Sequence, residues 1–125
     1  MAIEPFIKCS DIKESLDFYT RLMDFEVVQA PDKDPNSFMS MYAFLKREES
    51  FVHLSQHAGD GVFGSVLYVR VNDIDQIYKS LINNGLTLQS PSGITMEPVV
   101  QTWKMKEFSV ADPDGNRITF GQSCN

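Results

Sequence analysis

The chain has 125 residues, 42% apolar and 22% charged, which excludes a disordered polymer and predicts one compact domain with a proper core. Its formal charge of −6 disfavours nucleic acid and anionic lipid as partners, and reads either as simple solubility or as attraction for a cationic small molecule. No apolar run approaches a membrane span, and Met1-Ala2-Ile3-Glu4-Pro5 lacks the basic flank and apolar stretch of a secretory leader, so a cytoplasmic location is expected.

A strand pattern over Pro5–Cys9 opens the chain. Cys9 reads as a small core residue and Cys124 as an exposed tail residue, with no paired spacing that suggests zinc. Asp11 and Glu14 then form an Asp-x-x-Glu helix start, followed by Ile12, Leu16, Tyr19 and Met23 at helical period. Strands are predicted over Phe25–Gln29, Met39–Lys46 and Phe51–Ser55, with a loop over Ala30–Ser37. Gln56–Gly64 reads as a linker.

The same order then repeats. Strand Ser65–Val71 leads to Asp73 and Gln76, a second helix start 62 residues after the first. Ile74, Ile77, Tyr78, Leu81 and Ile82 supply the helical period, and Asn84-Gly85 ends it. Strands are predicted over Leu86–Gln89, Lys106–Ala111 and Arg117–Gly121, with a loop over Ser90–Lys104 and a tight turn at Asp112-Pro113-Asp114-Gly115-Asn116. The domain therefore reads as two modules, about 1–57 and about 64–125.

Asp11 to Tyr19 resembles the opening helix of the glyoxalase/bleomycin-resistance/extradiol-dioxygenase superfamily, the vicinal oxygen chelate proteins. Phe108 to Ile118, with its Asp-Pro-Asp-Gly-Asn turn, resembles the closing hairpin of the same superfamily. The resemblance implies an α+β fold of two tandem βαβββ modules forming a curved half-barrel around a cavity. It also implies a homodimer.

Enzymes of this superfamily typically hold one divalent metal with four residues. By position in the resembled motifs these are Glu4, His53, Val66 and Thr119. Valine cannot coordinate, and a neutral threonine hydroxyl is a poor ligand, so only Glu4 and His53 remain as weak metal candidates. The expectation is a site without metal or other cofactor, with His53 as a hydrogen-bonding cavity residue. His57 reads as a solvated linker residue. No Ser-His-Asp or Cys-His arrangement points to metal-free catalysis.

Pro98 to Phe108 resembles the bleomycin-resistance branch, where a tryptophan ahead of the penultimate strand stacks on the planar part of a ligand. Trp103 matches that position, either as a stacking face or as a loop anchor. Phe38 and Tyr42 follow the acidic loop Asp32-Lys33-Asp34-Pro35 and are candidates for the other wall of a cleft. Strand alternation adds Phe51, His53, Tyr68, Arg70 and Arg117 as ligand-binding candidates. Lys8, Arg70 and Arg117 would favour an anionic group, against the acidic net charge. The expected function is sequestration of a flat, cationic small molecule. The alternative is a metal-dependent glyoxalase-like lyase, isomerase or dioxygenase.

Overall fold

The computed structural model describes residues 1–88 and 92–124. The chain divides into two compact units, Met1–Phe63 and Gly64–Asn125. Each is a βαβββ module with one open four-stranded sheet, and the architecture is α+β.

The first unit runs β1 (Phe6–Lys8), α1 (Ile12–Asp17), β2 (Glu26–Gln29), β3 (Tyr42–Arg47) and β4 (Ser50–Ser55). Its sheet order is β1-β4-β3-β2, with β1 parallel to β4 and the other pairs antiparallel. Ile7, Ala43, Leu45, Val52 and Leu54 are buried on one face, with Ile12, Tyr19 and Met23 of the helical segment also in the core. Asp11 caps α1 by accepting from the backbone N–H groups of Lys13 and Glu14. After Asp17 the helix widens into one π turn, Phe18–Leu22.

The second unit repeats this plan with β5 (Val66–Arg70), α2 (Ile74–Asn83), β6 (Gly93–Val100), β7 (Met105–Ala111) and β8 (Arg117–Ser123). Its order is β5-β8-β7-β6, again with one parallel pair, β5 with β8. Ile94, Phe108, Val110, Ile118 and Phe120 are buried with Ile74 and Leu81 of α2. Phe108 stacks on Phe120 at 4.8 Å and meets Tyr78 of α2 edge-on at 5.1 Å.

The two helix starts share a device that neither sequence motif announces. The Ile12 N–H donates to Gln56 Oε1, and the Ile74 N–H donates to Gln122 Oε1, both at 2.8 Å. A side chain at the end of each module's last strand thus satisfies a free amide of its helix. Among the described residues, neither Glu14 nor Gln76 makes the return bond of a capping box.

Three predicted boundaries need correction. The loop expected over Ser90–Lys104 contains strand β6, Gly93–Val100. Among the described residues of the strand expected at Leu86–Gln89, Leu88 alone pairs, through one isolated bridge to Ile94; Gln89, Ser90 and Pro91 lie outside the described residues. Pro98 is tolerated because β6 is an edge strand, with register shifts between Ile94 and Met96 and between Met96 and Val99. The third strand begins at Tyr42 rather than Met39, because Phe38–Met41 forms a 3₁₀ turn capped by the Ser37 hydroxyl.

Candidate functional site

Strand alternation sends the core residues of each sheet to one face and leaves a second, more polar and aromatic face. In the first unit, register places Phe6, His53 and Phe44 side by side across β1, β4 and β3. Their rings stack in that order, at 4.4 Å and 7° for Phe6 on His53 and at 4.5 Å and 22° for His53 on Phe44. Phe51 extends the row, stacking on Phe44 at 5.4 Å. The result is a partly exposed aromatic platform with an imidazole at its centre.

His53 is held at both ring nitrogens. Nδ1 lies 2.5 Å from the Tyr42 hydroxyl, and Nε2 lies 2.9 Å from Glu4 Oε1. Burial, and then the negative charges of Glu4 and Asp60, push the Tyr42 phenol above its usual range. The Tyr42 hydroxyl and the Glu4 carboxylate thus fix the imidazole by one hydrogen bond at each nitrogen. Phe38 lies beyond this platform, in the 3₁₀ turn, and stacks on His57 at 3.8 Å and 8°. His57 is not the solvated linker residue expected: it is half-buried under Phe38, and its Nε2 is buried without a hydrogen-bond partner among the described residues.

The second unit carries a different group. On its polar face, Tyr68 of β5 pairs in register with Thr119, and Arg70 pairs with Gly121. Gly121 in turn faces Glu107 of β7. The Tyr68 ring crosses over Gly121, and its hydroxyl donates to Glu107 Oε2 at 2.6 Å. Trp103 sits in the turn between β6 and β7 and donates its Nε1–H to the same oxygen at 3.2 Å. Trp103 is 61% exposed and Tyr68 46%, whereas Glu107 is only 6% exposed. Burial, and then the hydrogen bond to Glu107, push the Tyr68 phenol upward. The Arg70 guanidinium lies 5.8 Å from the Tyr68 ring centroid. A shallow recess of about 290 Å³ adjoins, lined by Arg70, Val71, Asn72, Gly121, Gln122 and Ser123.

The structure thus gathers Glu4, Tyr42, His53 and Phe51 in the first unit, and Tyr68, Arg70 and Trp103 in the second. It sets Phe38 apart on His57. Arg117 is exposed at the far end of the second sheet's polar face, paired with Val66 and Ala111. Lys8 turns its ammonium onto the carbonyls of Gln56 and His57. Sequence reasoning missed Phe6, Phe44 and Glu107. Glu107 left one visible signal, a charge in the phase of Ser109 and Ala111, inside a strand rather than at its end.

The metal positions implied by the resemblance can be checked against these contacts. Val66 has no donor atom, and the Thr119 hydroxyl is bonded to Ser109 Oγ at 3.0 Å. Both His53 ring nitrogens are taken up by hydrogen bonds, to Tyr42 and to Glu4. Among the described residues, no group of three or more His, Cys, Asp and Glu is placed to hold a metal ion. These residues do not fit the enzyme metal site.

Residues 5–120 match the model of the Glyoxalase/Bleomycin resistance protein/Dioxygenase superfamily. The chain belongs to this superfamily. No curated protein matches it. Among solved structures it is similar to a bleomycin resistance determinant encoded on the transposon Tn5, with 21% identity, 98% of each chain covered and a TM-score of 0.77. It is also similar to a bleomycin-binding protein complexed with bleomycin, with 21% identity, the same coverage and a TM-score of 0.76. An antibiotic-binding protein from a Streptomyces species matches at 20% identity over 98% of each chain, with a TM-score of 0.70. At these identities the likeness establishes the fold, which is the bleomycin-resistance fold. Among the described residues no helix is long and apolar enough to cross a membrane.

Proposed function

We propose that this chain binds and sequesters a flat, cationic small molecule without chemical modification and without a metal or other cofactor. The observation that carries the reading is Trp103, a largely exposed indole whose orientation is fixed by Glu107 rather than by core packing. An exposed aromatic face held by its polar edge is suited to stacking on a planar ligand. The Phe6–His53–Phe44 platform supplies a second aromatic surface of the same kind. Similarity in fold to bleomycin-binding and antibiotic-binding proteins supports a drug-like ligand, and with it a role in drug resistance.

Trp103 is the single tryptophan, so its fluorescence reports the site directly. Titration with bleomycin is expected to quench it, and Trp103→Ala is expected to weaken binding by roughly 1–3 kcal/mol, the scale of an aromatic contact at a binding hot spot. Because the indole is mostly exposed, the same substitution is expected to cost less stability than the roughly 3–5 kcal/mol of a buried aromatic. A lowered melting temperature with unchanged affinity would make Trp103 a structural anchor and remove the reading.

The reading includes a homodimer acting in the cytoplasm. Exposed Val27 and Val28 on the edge strand β2 support association, since unpaired apolar edges need cover. Light scattering is expected to give twice the chain mass of 14.2 kDa, and a monomer at micromolar concentration would refute it.

A further inference from the structure

We propose that Glu107 is the specificity-determining residue of the second unit's face, selecting an organic cation borne on a flat aromatic ring. The inference rests on the ligand-binding reading above and deepens it.

Glu107 is almost fully buried in the interior of β7, where a carboxylate is costly unless it is compensated. Among the described residues the lysine and arginine ion pairs join Arg21 to Asp17 and Lys106 to Asp75, so Glu107 is in no ion pair. Arg70, the nearby guanidinium, turns to the Tyr68 ring and to Met105 Sδ instead. Two neutral donors, Tyr68 and Trp103, share Oε2. A carboxylate has about four acceptor sites, so among the described residues half of its capacity is unused, including all of Oε1. This spare acceptor capacity lies at the base of two exposed aromatic rings whose positions Glu107 itself fixes. An amine or amidine edge placed there gains charge-assisted hydrogen bonds from Oε1 and quadrupole attraction from both rings. An anion would meet repulsion from the carboxylate, offset only by Arg70.

The test uses two flat dyes at mildly alkaline pH, proflavine, which is cationic, and acridine, which is uncharged. Trp103 quenching by each is measured for the full chain and for Glu107→Gln. Glutamine keeps one acceptor oxygen for Tyr68 and Trp103 and replaces the other by an amide NH2, so the charge and the spare acceptor are removed together. The wild-type chain is expected to prefer proflavine by about tenfold to a hundredfold, the scale of a hydrogen bond to a charged group. Glu107→Gln is expected to abolish that preference while leaving acridine affinity within about twofold. Equal binding of both dyes by the wild-type chain, or an equal loss for both in the variant, would overturn the inference and leave ligand binding standing. Binding of neither dye would remove the reading of a flat cationic ligand itself and this inference with it. Arg70→Ala, at an exposed strand position, is the second variant should Glu107→Gln not fold. Removing the neighbouring positive charge is expected to raise proflavine affinity a few-fold relative to acridine. Weaker proflavine binding by Arg70→Ala would refute the role assigned to the carboxylate.

Discussion

Gly121 makes the Tyr68–Glu107 contact possible, and Gly121→Ala tests that geometry without any ligand. A Cβ at this position would fall 1.9 Å from the Tyr68 hydroxyl and 2.5 Å from the ring carbon that bears it. No atom tolerates that approach, so something must move. The cheaper movement is rotation of Tyr68, a half-exposed side chain, into solvent. Rotation forfeits the 2.6 Å bond to Glu107 and leaves a buried carboxylate with one donor fewer. A hydrogen bond to a charged group contributes roughly 1.5–3 kcal/mol, and partial exposure brings the expected loss to about 1.5 kcal/mol. The clash requires Tyr68, so a double-mutant cycle isolates it. In a Tyr68→Ala background, Gly121→Ala should cost nothing or stabilise by about 0.5 kcal/mol, through lower chain entropy in the unfolded state. Urea denaturation of the four proteins measures all the terms. If Gly121→Ala costs as much without Tyr68 as with it, the glycine serves the backbone and the crossing ring is not its reason.

Further predictions concern the support of the two faces. Asn116 is buried; it accepts from the backbone N–H groups of Gly64 and Ser65 and donates to Asp112, so Asn116→Ala is expected to lower stability by about 3 kcal/mol by chemical denaturation. Thr119→Val strands the buried Ser109 hydroxyl and should cost roughly 1–2 kcal/mol, with most of it recovered by adding Ser109→Ala; full additivity would refute the pairing. The phenols of Tyr42, Tyr68 and Tyr78 are all raised, with burial as the leading cause. A raised folded-state pKa means stability that is complete below the ordinary tyrosine value of about 10 and lost as pH rises through the folded values. Urea midpoints should therefore fall on the alkaline side, and midpoints that rise there would contradict the burial. Metal analysis of gently purified protein should find less than one divalent ion per chain; one bound ion lost on His53→Ala would reverse the assignment of His53 to Tyr42 and Glu4.

The parts of the fold that were legible in the sequence are those written in local pattern. Asp11 and Asp73 cap helices because a short acidic side chain at that offset reaches its own helix amides, whatever surrounds it. The alternation of Val52 and Leu54 against Phe51 and His53 gave the two faces of β4 for the same reason. Strand β6 was hidden because Gly93 and Pro98 punctuate it, and those residues normally mark loops. Only its place at the sheet edge, a fact of topology, makes Pro98 admissible. The paired glutamine caps were hidden differently. Gln56 and Gln122 are 66 residues apart, whereas Asp11 and Asp73 are 62 apart, so a fixed-offset search for repeats passes over them.

The candidate site was less legible than the fold because its contacts are long in sequence and short in space. Tyr68 and Glu107 are separated by 39 positions, and Glu4 and His53 by 49. No periodicity links such pairs; sheet register does, and register depends on which strands become neighbours. Once β8 lies between β5 and β7, Gly121 falls between Arg70 and Glu107. The absent side chain there opens a lane through which the Tyr68 ring reaches the carboxylate. Trp103 illustrates the same point from the other direction. Its candidacy came from the residues around it, but its orientation comes from Glu107, four positions on, through a turn that exists only because β6 pairs with β7. A carboxylate buried in the interior of a strand is therefore the residue to ask about first, since a buried charge persists only where something in the folded protein or its ligand answers it.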